Sequence, residues 1–182
     1  RLRSRAATIH GVDGSFPSSC IFGIAPGSVP DALWVATLTG AVHYRARPPY
    51  GVLETVTADD GLVDPRVWGL AATPEGEVWA FTESHYQVRR PGQRRFDPPG
   101  PALPLPRVTH GMTLDGDGRL WVSGVDSEHP LAMRDRDGRW TSWRTTDDGG
   151  VLAGCRSVAP RRAGGVWASA GSDLLACDGR TV

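Results

Sequence analysis

Four of the chain's seven tryptophans, Trp34, Trp79, Trp121 and Trp167, stand 45, 42 and 46 residues apart. Each closes the same local pattern: a short apolar run, a turn of Gly, Pro or acidic residues, then an apolar–Trp–small triplet. The four segments begin at Cys20, Arg66, Arg107 and Cys155. A near-constant period in the forties restricts the chain to stacked repeats. Each repeat is one supersecondary unit that buries its faces against its neighbours.

The pattern inside the period selects strands over helices. No window of helical length carries apolar residues at i, i+3, i+4 and i+7. The apolar runs are brief, alternate, and end in turn residues. In the second unit, strands are expected at Val67–Ala72, Glu77–Thr82, His85–Arg90 and Arg94–Asp97, with Pro91-Gly92 turning between the last two. In the third, Leu131–Asp135 and Arg139–Arg144 form a hairpin around Asp137-Gly138. Four short antiparallel strands with tight turns make one blade of a β-propeller. The expected fold is therefore all-β: a propeller, or a propeller fragment, of about four blades. One domain spans residues 1–182, with repeats at about 20–65, 66–106, 107–154 and 155–182. Residues 1–16 supply an outer strand (Arg1–Ile9) and a junction at Asp13-Gly14. The recurring tryptophan is expected to pack one blade against the next.

The written-out unit resembles the two-component-regulator propeller repeat. The matching residues are Asp60-Gly61-Leu62, Val67–Leu70 and Glu75-Gly76-Glu77-Val78-Trp79 in the second unit. The third contributes Asp117–Val122, and the first Leu33–Thr37 with Gly40. The second unit departs from the pattern with Ser84-His85 where the family has glycine. The fourth replaces the acidic turn by Ala163-Gly164-Gly165. The resemblance implies a bacterial sensor-type module outside the cytoplasmic membrane, some of whose relatives are thought to detect saccharides. Such rings usually exceed four blades, so a window from a larger ring is favoured over a closed four-bladed one.

Composition excludes several classes. Twenty basic residues, all arginine, balance twenty acidic ones, so no net field attracts nucleic acid. No apolar run is long enough to span a bilayer as a helix. Cys20, Cys155 and Cys177 are odd in number and lack CxxC spacing, which disfavours a zinc site; buried or half-buried thiols are expected. The stretch LDGDGRLWVSG (114–124) invites comparison with a calcium loop. Counting from Asp115, position 5 is Arg119 and position 6 is Leu120, so the EF-hand template fails and a turn is expected. No metal, cofactor or catalytic motif is expected.

Ligand chemistry is expected on the face carrying the blade-to-blade junctions and the loops between second and third strands. His85 and His129 occupy such loops beside Glu83 and Asp126–Glu128. Propellers of the virginiamycin-B-lyase kind place catalytic histidines near such a mouth, and no motif here matches theirs. Arg66, Arg107 and Arg156 lie where the chain enters innermost strands, close in sequence to His110 in the third unit. These six residues are the candidate ligand set: the three arginines and His110 suit carboxylates or sugar hydroxyls, and His85 and His129 suit acid–base work or a metal. Two other arginine groups, Arg89–Arg95 and Arg134–Arg139, are expected to be solvated blade edges. The leading functional expectation is a non-catalytic binding module for a small molecule or saccharide, with the remaining blades or an attached signalling domain as expected partners. The alternatives are a lyase or hydrolase using the loop histidines, and a protein-interaction scaffold.

Overall fold

The computed structural model of the chain describes residues 16–82, 85–99, 109–125, 128–152 and 154–180. The expected strand Arg1–Ile9 and junction at Asp13-Gly14 lie outside the described residues, as do Glu83, Ser84, Arg107, Asp126 and Ser127. Fourteen strands form four antiparallel sheets among the described residues, with no α-helix. The first blade is β1 (Ile21–Pro26), β2 (Ala32–Thr37), β3 (Gly40–Arg45) and β4 (Gly51–Val56). The second is β5 (Gly69–Ala72), β6 (Val78–Phe81) and β7 (Tyr86–Arg89). The third is β8 (Thr109–Leu114), β9 (Leu120–Gly124), β10 (Leu131–Arg134) and β11 (Trp140–Trp143). The fourth is β12 (Cys155–Pro160), β13 (Val166–Ala170) and β14 (Asp173–Cys177). Within each blade the strands follow chain order, and substantial contacts between the first strands run β1 to β5, β5 to β8 and β8 to β12.

One register repeats in every blade. The tryptophan of the second strand pairs with a small residue of the first: Ala25 with Trp34, Ala71 with Trp79, Thr113 with Trp121, Ala159 with Trp167. The next pair along faces the other way, because side chains alternate across a strand. It holds Ile24–Val35, Leu70–Ala80, Met112–Val122 and Val158–Ala168. Trp34, Trp79 and Trp121 thus lie toward the following blade, and the apolar pair of that blade receives each. Trp34 shares a core with Leu70, Val78 and Ala80, and Trp79 with Leu120 and Val122. Trp121 shares one with Val166 and Ala168. These three indoles are 1%, 4% and 0% exposed, whereas Trp167, against which no further blade packs among the described residues, is 42% exposed.

The indole N–H needs a partner when it is buried. Glu77 Oε1 accepts it from Trp79 at 2.6 Å, and Asp115 Oδ2 accepts it from Trp121 at 2.8 Å. Asp115 also accepts the Asp117 and Arg119 backbone N–H groups and the Arg119 Nε–H. The stretch 114–124 turns at Gly118, which has φ 71°, and its first acid holds the packing indole. Trp34 is held differently, stacked on His43 at 4.6 Å with the Arg89 guanidinium 4.9 Å from its ring. Arg89 is correspondingly buried and paired with Glu54, so it does not join the solvated edge expected for it. It alternates with Val88 and falls on the face turned to the first blade. Arg134 likewise lies 4.8 Å from the Trp79 ring.

The Asp60-Gly61-Leu62 junction has a local cause at each residue. Asp60 and Thr57 cap a short 3₁₀ turn at Ala58–Asp60 reciprocally. Gly61 adopts φ 92° against the Phe96 carbonyl, which a Cβ would meet at 3.0 Å. Leu62 is buried in the interface between the first two blades. The expected strand Arg94–Asp97 follows β7 through one bond, Asp97 N–H to Val88 O. The Phe96 N–H turns instead to Asp60 O, and Pro98 and Pro99 then offer no donor with which to extend a ladder.

Burial pushes the Asp115 carboxyl up, but bonds from Trp121 and Arg119 outweigh it and hold the group below the usual carboxylate range. A value lower in the folded state than in the unfolded one contributes stability above the unfolded pKa and loses it as pH falls. Asp115→Ala is expected to cost about 3 kcal/mol at pH 7 in urea unfolding, since it strands a buried indole N–H and Arg119. The gap to the wild type should narrow below about pH 4. A gap that is constant with pH would refute this role.

Candidate functional site

The first strand of each blade enters from the junction side, and three of these entries are irregular. Register shifts occur between Ile21 and Gly23, between Thr109 and Gly111, and between Cys155 and Val158. Bulges of this kind re-aim a side chain and gather beside functional sites. The position before the conserved step of the register is Phe22, Trp68, His110 and Arg156 in the four blades. A small residue follows each: Gly23, Gly69, Gly111 and Ser157. These small residues let neighbouring entry strands approach. A Cβ on Gly111 would lie 3.1 Å from Ser157 Cα, and one on Gly23 would lie 3.4 Å from the Trp68 carbonyl.

Phe22 and Trp68 meet, with ring centroids 4.4 Å apart at 42°. Phe22 is 38% exposed, and Trp68 is half-buried. The Trp68 backbone N–H donates to Phe81 O at 2.8 Å, which fixes it at the end of β6. Its Nε1 is buried without a hydrogen-bond partner among the described residues. The loop before it places Asp64 and Arg66 in a fork. Arg66 donates from Nε to Oδ1 at 3.1 Å and from Nη2 to Oδ2 at 3.0 Å, and its backbone N–H also reaches Oδ1. The Arg66 bonds hold the Asp64 carboxyl below its ordinary range, and nearby His85 lowers it further. Gln87 anchors this loop from inside the second blade. It accepts the Val63 N–H and donates to Gly61 O and Asp97 O.

Of the six expected residues, Arg66 pairs with Asp64, and His85 is near enough to lower the same carboxyl. Arg156 is exposed at the β12 irregularity. His110 is described only as a position on β8, and Arg107 lies outside the described residues. His129 stands apart, its Nδ1 3.3 Å from Ser142 Oγ of β11. Sequence reasoning missed Phe22, Asp64 and Gln87. The Phe22–Trp68 correspondence was available, since each precedes a glycine one repeat apart. No group of three or more His, Cys, Asp or Glu suited to a metal occurs among the described residues. No helix among them is long and apolar enough to cross a membrane.

The opposite end of the entry strands holds a groove of about 590 Å³, to which all four strands contribute. Ile24, Val29, Leu70, Met112 and Leu114 make it largely apolar. The fourth blade contains two thiols raised by burial, Cys155 to about 11 and Cys177 to about 12. Neither suits nucleophilic work, because the thiolate is the reactive form. All three cysteines are free, and Cys20 is exposed. Ellman's reagent at pH 8 is expected to titrate one thiol in the native protein and three after unfolding; rapid native labelling of three would contradict this burial.

No model of a known protein family matches the chain, and no curated protein sequence matches it. Solved structures do. The extracellular domain assigned to a hybrid two-component system of B. thetaiotaomicron is similar at TM-score 0.57 and 16% identity, over 86% of this chain and 20% of that one. PorZ, a bacterial surface component of the type-IX secretion system of Porphyromonas gingivalis, gives 0.63 and 13% over 90% and 26%. Virginiamycin B lyase from Staphylococcus aureus gives 0.59 and 13% over 85% and 50%. The chain therefore spans between a fifth and a half of these neighbours. At such identities the likeness is one of fold: the chain is an all-β, propeller-like array of four antiparallel sheets.

Proposed function

We propose that the chain is a non-catalytic binding module of the sensor type, taking a small hydroxyl-rich ligand of saccharide chemistry on its junction face. The observation that carries this reading is the Phe22–Trp68 pair, Phe22 exposed and Trp68 half-buried, beside the Asp64–Arg66 fork. A sugar ring offers an apolar C–H face to an aromatic platform and hydroxyls to a charged fork. The platform contributes area, and the fork contributes orientation. His85 lies close enough to influence Asp64, and Arg156 and the position of His110 extend the same rim around the entry strands. The loop is fastened through Gln87, so ligand binding requires little ordering of the backbone.

The likeness to extracellular domains of two-component systems supports the sensor setting. There the module lies outside the cytoplasmic membrane, and occupancy biases an attached signalling domain. His129 lies 3.3 Å from Ser142, while His85 is near enough to Asp64 to lower its carboxyl, which gives less support to a shared acid–base pair.

Isothermal titration against neutral and acidic oligosaccharides tests the reading. At least one sugar is expected to bind, with affinity about tenfold or more weaker in Trp68→Ala and in Arg66→Ala. Absence of binding across the panel at millimolar sugar, or binding untouched by both substitutions, would overturn it.

A further inference from the structure

The interface between the first two blades contains a histidine, His43. Trp34, His43 and Glu54 stand opposite one another across β2, β3 and β4, so their side chains share the face turned to the second blade. The His43 ring lies on Trp34, 4.6 Å away and 7° from parallel. Arg89 reaches across from β7, its guanidinium 4.9 Å from the Trp34 ring and ion-paired with Glu54. His43 Nε2 is buried without a hydrogen-bond partner among the described residues. It abuts the 27–32 turn, where a Cβ on Gly27 would lie 3.0 Å from it. The charged residue of that turn, Asp31, is paired with Arg47. A neutral ring tolerates this place, with its proton on Nδ1. A protonated ring does not, because its Nε2–H would be buried without an acceptor.

We propose that this interface is a proton-sensitive joint: neutral His43 stacks on Trp34 and holds it closed, while protonated His43 leaves the stack, draws Glu54 away from Arg89 and loosens it. The charged groups facing the ring are Glu54 on β4 and Arg89 on β7. Burial opposes the charged form most, Glu54 favours it and Arg89 opposes it, and the balance holds the pKa below the ordinary value for histidine. A ring released from the stack takes up its proton near that ordinary value, about 6.5. His43 therefore supports closure fully above this pH, and its contribution falls as the pH drops through it. Arg89 stays charged throughout, so Glu54 is the group for which two cations compete. Phe22 and Trp68 stand one on each side of the joint. On the binding reading given above, acid thus also disturbs the aromatic platform.

Hydrogen–deuterium exchange of the purified chain at about pH 7.5 and about pH 5.5, corrected for the intrinsic pH dependence of exchange, tests the proposal. It needs no ligand, so its outcome is separate from that of the binding reading. Peptides covering β2, β3, β6 and β7 are expected to lose about tenfold in protection at the lower pH, while β9 and β13 keep theirs. His43→Phe keeps a ring on Trp34, removes the proton site, and is expected to abolish the difference. His43→Gln, uncharged and unbranched, does the same where the phenyl ring is not accommodated against Gly27; circular dichroism shows which variants are folded. Equal protection at both pH values would overturn the proposal. Equal losses in all four blades would also overturn it, reducing His43 to a contributor to global stability. A loss that persists in the folded variants would sink it as well and point to His85 as the titrating group.

Discussion

A tryptophan opposite a small residue is the constraint on which this structure depends. The indole is too broad to share its strand pair with a second large side chain, so Ala25, Ala71, Thr113 and Ala159 stand across from it. The ring can then lie flat on its sheet and fill the space to the next one. Removing such a buried aromatic typically costs about 3–5 kcal/mol. The polar edge of the indole creates a second demand. Glu77 and Asp115 meet it with a carboxylate on the same blade. Trp34 is instead enclosed by His43 and by Arg89 from the following blade.

The period and the strand pattern were legible because they arise from short-range requirements: alternation, turn residues and one large side chain per unit. The residues that tie blades together were not. Arg89 reads like its exposed neighbours Arg90, Arg94 and Arg95, and only the pairing of β6 with β7 decides which face it takes. Gln87 is an ordinary polar residue in sequence, yet it is 1% exposed and satisfies three backbone groups contributed by two segments. The Asp115 stretch was legible as a turn. Its second role was hidden because Trp79 is served by a different acid, Glu77, from a different place in the turn.

The candidate site was half legible for the same reason. Loop position identified Arg66 and His85, since junctions and the loops between second and third strands share one face. The aromatic part of the rim was obscured by the packing tryptophans, beside which Trp68 looked incidental. Its significance comes from register: it takes the place in the second blade that Phe22, His110 and Arg156 take in the others. The Gln87 bonds show how a loop that joins two blades is also made firm enough to present charged groups.

His43 shows what a stacked interface costs elsewhere. Its Nε2 is buried without a partner among the described residues, and burial lowers its pKa, so it sits neutral against Trp34. Among the described residues, substantial contacts between first strands join blades adjacent in sequence, so those strands find partners about one repeat away. That keeps sequence separations modest for an all-β protein and lowers the loop-closure entropy of each step. Assembly can begin at any blade and spread to either side. Each completed blade offers the next one a finished template of one tryptophan and one aliphatic pair.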